Sequence, residues 1–241
     1  HGLRRAQVIL TKTEDTRRLL PAWAQGKSRC ELEVGLAAGR VAGEPIGYSK
    51  GERFRLLFVG RFIHLKGGML CLAALARLRQ SGVDATLTLI GAGPQEAQWR
   101  DMARQVGVSE FVEWWGWRPQ SEVLAAYRQH HAFLFPSLHD SSGNAVLEAL
   151  SQGLPVVCLA NGGPAVVVGP HAGVRVDAAD QGVDAVAAAL ADAVRGLIED
   201  DARYLQLSRA ALARAGDLSW SRVAAAVWPP EARNIGEVVE S

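Results

Sequence analysis

FLFPSLHDSSGNAVLEALSQGLPVV, residues 133–157, decides how the rest of the chain is read. An apolar strand ends at Pro136, a polar turn containing a glycine follows, and an amphipathic helix opens near Gly143. Two carboxylates, Asp140 and Glu148, bracket that turn. At such a junction the first N–H groups of the helix lack backbone partners and share the positive end of the helix dipole. The geometry suits a phosphate, and the acids around it suit the hydroxyls of a sugar.

Working outward, short apolar runs alternate with amphipathic stretches from residue 54 onward. Strands are expected at 54–59, 85–90, 111–115, 132–135, 155–159 and 173–176, and helices at 68–80, 95–106, 121–130, 144–152 and 183–199. The strands are rich in Val, Leu, Ile and Phe with little alternation, as in strands buried on both faces. Repeated units of this kind predict an α/β fold with a doubly wound, Rossmann-like parallel sheet of about six strands and helices on both faces. Ligands bind such sheets beyond the carboxyl ends of the strands.

The 241 residues are 49% hydrophobic and 21% charged, with a formal net charge of +1, so nothing global draws the chain to nucleic acid or anionic lipid. Any anion site is local. Cys30, Cys71 and Cys158 lack metal-ligand or CxxC spacing, and Cys71 and Cys158 read as buried small hydrophobes. An odd cysteine count without a secretory leader is the expectation for a reducing, cytoplasmic setting. No run reaches transmembrane length. Residues 1–53 offer one apolar run, Val8–Leu10, a charged helix-like stretch and a glycine-rich passage. After residue 216, Ser219 reads as a cap for a short helix that Pro229-Pro230 ends, with a loosely ordered tail beyond.

The βα loops hold the chemistry. Gly60 lets the backbone turn close to a ligand, and Arg61 and Lys66 converge on a diphosphate or, alternatively, are solvated surface cations. Gly91-Ala-Gly93 lacks the third glycine of a dinucleotide fingerprint and reads better as a tight turn. Trp114 and Trp115 suit sheet-to-helix packing, whereas Trp117 and Arg118 lie in a loop where they can flank a base. Asn144 and Glu148 share a helix face, and an acid in the otherwise apolar helix containing Ala145 needs a partner, ligand or structural. Gly162-Gly163-Pro164 offers another turn with exposed amides. His64 and His139, near the site, read as incidental, and no cluster has the composition of a metal site.

Taken together, Gly60-Arg61 with Lys66-Gly67, Gly91-Ala-Gly93, Phe135-Pro136-Ser137 through Asp140 to Glu148, Gly153-Leu-Pro155 and Gly162-Gly163-Pro164 resemble the carboxyl-terminal domain of GT-B-fold retaining glycosyltransferases, the "glycosyl transferases group 1" family. The resemblance covers about residues 50–215. It implies that Arg61 and Lys66 bind the donor diphosphate and that Glu148 holds the donor ribose. Asp140, where the family usually has Glu, faces the donor sugar. Ser142, Gly143, Asn144 and Ala145 lie near sugar and phosphates, and Gly60 and Gly91 count among the donor-binding residues. Trp117 and Arg118 belong to the base-contacting loop.

The same resemblance implies transfer of a hexose, with retention, from a UDP- or GDP-linked donor to a glycan or lipid-linked acceptor, with no metal or other cofactor and no nucleic-acid partner. A sugar-nucleotide 2-epimerase and a non-catalytic nucleotide-sugar-binding module are the alternatives. Residues 1–53 are expected to be linker and the remnant of an amino-terminal acceptor domain, 54–216 the donor-binding domain and 217–241 a terminal helix and tail. Without the acceptor domain the chain is expected to bind donor and transfer little. The full protein is expected in the cytoplasm, peripherally at the inner face of the membrane.

Overall fold

The chain, seen as a computed structural model that describes residues 2–37 and 39–227, begins with α1 (Gly2–Arg5), β1 (Ile9–Thr11), α2 (Glu14–Arg18), α3 (Ala22–Gln25) and β2 (Ser28–Cys30). β1 and β2 form a small parallel pair, with Ile9 opposite Ser28. The Ser-Arg-Cys run of β2 has no apolar signature. Its strand character comes from backbone pairing to β1, and so it was invisible to hydrophobic periodicity.

The main sheet comprises β3 (Phe54–Val59), β4 (Ala85–Ile90), β5 (Val112–Gly116), β6 (Ala132–Phe135), β7 (Val156–Leu159) and β8 (Gly173–Val176). All pairings are parallel and the order is β5-β4-β3-β6-β7-β8. β6 and β7 are buried at every position, as expected of strands covered on both faces. Strand order reverses between β3 and β6. In an open parallel sheet that reversal leaves a crevice at the carboxyl ends of the two strands.

The helices are α4 (Gly68–Gln80), α5 (Glu96–Gln105), α6 (Gln120–Gln129), α7 (Asn144–Ser151), α8 (Gly162–Val168), α9 (Val183–Glu199), α10 (Asp201–Asp217) and α11 (Trp220–Val227). On one face α4 packs against α5 and α9; on the other α7 contacts α6, α8 and α10. Two details depart from expectation. Phe111 closes a 3₁₀ turn, so β5 starts at Val112. The turn expected at Gly162-Gly163-Pro164 is the first turn of a helix, α8.

α10 was not anticipated by periodicity, because its buried stripe is Tyr204, Ser208, Ala211 and Ala215, small or hydroxyl-bearing side chains. Their polar atoms are satisfied in place: Tyr204 donates to the His131 carbonyl at 2.9 Å, and Ser208 donates to the Gly153 carbonyl at 2.6 Å. Asp200 caps the helix by accepting from the Arg203 amide. Ser219 caps α11 as expected, accepting from Arg222 N at 3.4 Å. Trp220 covers Gly35, and Arg29 donates to the carbonyls of Ala226 and Val227 at the end of α11. The expected stop at Pro229-Pro230 and the tail fall outside the described residues. No helix among the described residues is long and apolar enough to cross a membrane. Cys71 and Cys158 are buried, and burial pushes the Cys158 thiol up to about 12.

Candidate functional site

The crevice between β3 and β6 is built by two loops stapled to each other. After β3 the chain runs through Arg61 and Phe62 into a 3₁₀ turn, His64–Lys66. The Leu65 carbonyl of that turn accepts from the Ser137 hydroxyl (2.9 Å), the Leu138 amide (2.8 Å) and the His139 amide (3.4 Å) of the loop after β6. Gly67 follows with φ of 74°, and a Cβ there would meet the Pro136 carbonyl oxygen at 2.0 Å. Only glycine both adopts that φ without strain and admits the neighbouring backbone.

The staple brings Lys66 to Asp140. Lys66 Nζ lies 2.5 Å from Asp140 Oδ2, and the two side chains keep only 19% and 16% of their exposure. The other oxygen, Oδ1, accepts from the amides of Ser142 (3.0 Å) and Gly143 (2.9 Å). Burial by itself would raise the Asp140 pKa, but the Lys66 bond and the two amides outweigh it and hold the carboxyl below the usual aspartate range. Asp140 is therefore ionised at neutral pH.

This corrects one expectation. The amides of Ser142 and Gly143 are engaged by the protein's own carboxylate, and the Gly163 amide donates to the Asp140 carbonyl at 2.7 Å. The N–H groups left without a preceding turn are those of Asn144, Ala145 and Val146, the first three residues of α7, because the Leu147 amide is the first to bond back, to the Gly143 carbonyl. Gly143 precedes them in the left-handed region, with φ of 72°. Gly162 and Gly163 act instead as clearance: a Cβ on Gly163 would lie 2.6 Å from the Ser141 carbonyl carbon.

The remaining candidates surround this centre. Arg61 is exposed and makes no ion pair among the described residues, whereas Lys66 also sits over the Phe135 ring. A Cβ on Gly91 would stand 1.9 Å from the Gly60 carbonyl oxygen, and one on Gly93 would stand 2.4 Å from that of Phe62. These glycines let two βα loops touch, which explains GxG without a dinucleotide. Trp114 packs edge-on to Phe62 beneath the Arg100 guanidinium, and Trp115 leans on His130, as expected of packing residues. Trp117 stays 75% exposed in the loop before α6, and Arg118 pairs with Glu122 at 3.7 Å. His64 and His139 are exposed.

Glu148 lies one turn beyond Asn144 on α7, and both line a cleft of ≈320 Å³ with Gln120, Ser151 and Arg40. Its Oε1 accepts from Gln120 Nε2 at 2.9 Å and its Oε2 from the Tyr127 hydroxyl at 3.3 Å. Burial, reinforced by the Glu148 charge, pushes the Tyr127 hydroxyl pKa well up, so it remains a donor. Sequence reasoning recognised that Glu148 needs a partner but did not name these two. The available signal was their spacing of seven along α6, which puts both on one helix face. It also missed Glu33, which accepts from the Ser142 hydroxyl at 3.5 Å and pairs with Lys12, tying the amino-terminal segment to the α7 turn. No group of three or more potential metal ligands occurs among the described residues.

Comparison with known proteins bears on the family and the fold. D-inositol 3-phosphate glycosyltransferase of Corynebacterium aurimucosum is 31% identical over 174 residues, covering 69% of this chain and 40% of that protein. 2-Deoxystreptamine glucosyltransferase of Streptomyces kanamyceticus is 30% identical over 221 residues, covering 87% of this chain and 56% of that protein. The chain thus spans between two fifths and somewhat over half of these relatives' lengths. Anabaena HepE, solved in complex with UDP and glucose, superposes with a TM-score of 0.74 at 16% identity over 94% of this chain and 63% of that one, which shows a shared fold. The sequence profile of the group described as "Glycosyl transferases group 1" matches residues 46–214, and the chain belongs to that family.

Proposed function

We propose that residues 54–216 are the donor-binding domain of a hexosyltransferase that uses a UDP- or GDP-linked sugar and retains its anomeric configuration. The observation that carries this reading is the meeting of Lys66 and Asp140 at the β3/β6 reversal, with exposed Arg61 in the same loop. In this reading the donor diphosphate takes over Lys66, is gripped by the Arg61 fork, and meets the Asn144 and Ala145 amides. Charge that builds on the departing phosphate as the glycosidic bond breaks is neutralised by these fixed donors. Asp140, ionised and anchored, faces the sugar; Glu148 takes the ribose hydroxyls, and the Trp117-Arg118 loop flanks the base.

The acceptor, a glycan or lipid-linked sugar, is assigned to an amino-terminal domain continued by residues 1–53, with α11 returning toward it. We assign the full protein to the cytoplasm, peripherally at the membrane when the acceptor is a lipid. Transfer needs both reactants held together. In this reading residues 54–216 bind donor, and transfer depends on the acceptor domain.

A calorimetric screen of UDP, GDP, ADP and their glucose and mannose conjugates tests the reading. One nucleoside diphosphate should bind, and Glu148→Ala should weaken it about tenfold by removing a charged hydrogen bond to the ribose. UDP-glucose is the first donor to try, because the HepE complex holds UDP and glucose. NMR of the product made by the two-domain protein then reads the anomeric configuration. Conversion of donor without any acceptor would identify an epimerase instead, and absence of nucleotide binding would end the proposal.

A further inference from the structure

The donors that hold Glu148 have a consequence for what the site selects. Gln120 opens α6 and Tyr127 lies two turns further along the same face, and both reach across to α7. Gln120 is exposed at the cleft, whereas Tyr127 is fully buried, its ring edge-on to Phe133. Each takes one carboxylate oxygen. The Tyr127 hydroxyl is also 3.2 Å from the Ala145 carbonyl, so one proton serves two acceptors and fixes α6 against the first turn of α7.

A carboxylate has about four acceptor positions. With two directed at α6, the others face the cleft that Glu148 shares with Asn144 and Ser151. We propose that Gln120 and Tyr127 are positioning residues that preset the Glu148 carboxylate, one oxygen for each of two adjacent hydroxyls, and thereby make the site selective for a ligand carrying a vicinal diol. The inference rests on the assignment of Glu148 to the ribose made above. A free glutamate side chain would have to be ordered by the ligand, which weakens binding. Here the protein orders it beforehand. The hydroxyl pair of a ribonucleotide meets both oxygens, whereas a 2′-deoxynucleotide leaves one without its ligand hydrogen bond.

The test compares UDP with 2′-deoxy-UDP by calorimetry on the whole chain, with the GDP and ADP pairs run in parallel. The unmodified protein should favour the ribonucleotide about tenfold. Gln120→Ala and Tyr127→Phe should each reduce that preference to about two- or threefold by weakening the ribonucleotide, which uses both oxygens, more than the deoxynucleotide, which uses one. A merely structural role for Tyr127 would weaken both ligands alike. Gln120 is exposed, so its variant tests the proposal even where Tyr127→Phe folds poorly. Glu148→Ala separates the two layers of the argument. If it abolishes the preference while Gln120→Ala and Tyr127→Phe retain it, the positioning role is overturned and the ribose assignment stands. If Glu148→Ala leaves the preference intact, or no nucleotide binds, the ribose assignment fails and this inference fails with it.

Discussion

Lys66 Nζ and Asp140 Oδ2 stand 2.5 Å apart although 74 residues separate them in sequence. They belong to the loops after β3 and β6, on either side of the point where strand order reverses. The acid neutralises the cation that a diphosphate would need, and its other oxygen fastens the turn before α7. In the proposed reading, ligand phosphate and Asp140 compete for one ammonium. The shortness of Asp140 is consistent with this role, because an aspartate reaches the amides two and three residues ahead without a further methylene.

Asp140→Asn keeps an oxygen for those amides and removes the competing charge. Affinity for the nucleoside diphosphate should rise about three- to tenfold, since an opposing charge next to the phosphate is lost. Sugar transfer by the two-domain protein should fall. Calorimetry and a transfer assay read the two effects; a weakened diphosphate affinity would show that Lys66 is not the phosphate ligand.

Gly67→Ala tests the staple. A positive φ and an approach of 2.0 Å to the Pro136 carbonyl oxygen both oppose a side chain there. The expected loss is about 2–4 kcal/mol in urea unfolding. Retention of stability within about 0.5 kcal/mol would mean that the two loops are not held this closely.

Burial keeps His131 neutral, and the neighbouring Arg55 and His130 add to the effect, bringing its pKa down to about 4. Unfolded histidine titrates near 6.5, so between these values the unfolded chain binds more protons. The contribution to stability is complete above about pH 6.5 and declines as pH falls toward 4, by about 2 kcal/mol. His131→Asn, which can still accept from the Arg55 amide, should flatten that decline in urea midpoints measured from pH 7 to pH 4. An equally steep decline would assign the titration to other groups.

The sheet was legible because strands such as Phe133-Leu-Phe135 and Val156-Val-Cys158 are buried on both faces and read as unbroken apolar runs. The glycines at 60, 91 and 143 were legible as turns from their places after apolar strands, whereas Gly67 read as the start of a helix. α10 was not, because Tyr204, Ser208, Ala211 and Ala215 form its buried face through hydroxyl bonds and small side chains. Within the site, residue types in the loops pointed to Arg61, Lys66 and Asp140, and an acid in an apolar helix pointed to Glu148. Which atoms they engage was not legible. The occupation of the Ser142 and Gly143 amides by Asp140, and of Glu148 by Gln120 and Tyr127, depends on how α6 and α7 meet in space.

The central claim is that a diphosphate lies across the β3/β6 crevice between Arg61 and Lys66. Calorimetric titration of the chain with UDP and with uridine, and with the guanosine and adenosine pairs, tests it most directly when repeated on Arg61→Ala and Lys66→Ala. Each substitution should weaken the diphosphate about ten- to a hundredfold and leave the nucleoside within about twofold, because only charge-assisted bonds to phosphate are removed. Equal losses for diphosphate and nucleoside, or no loss for either, would contradict the account.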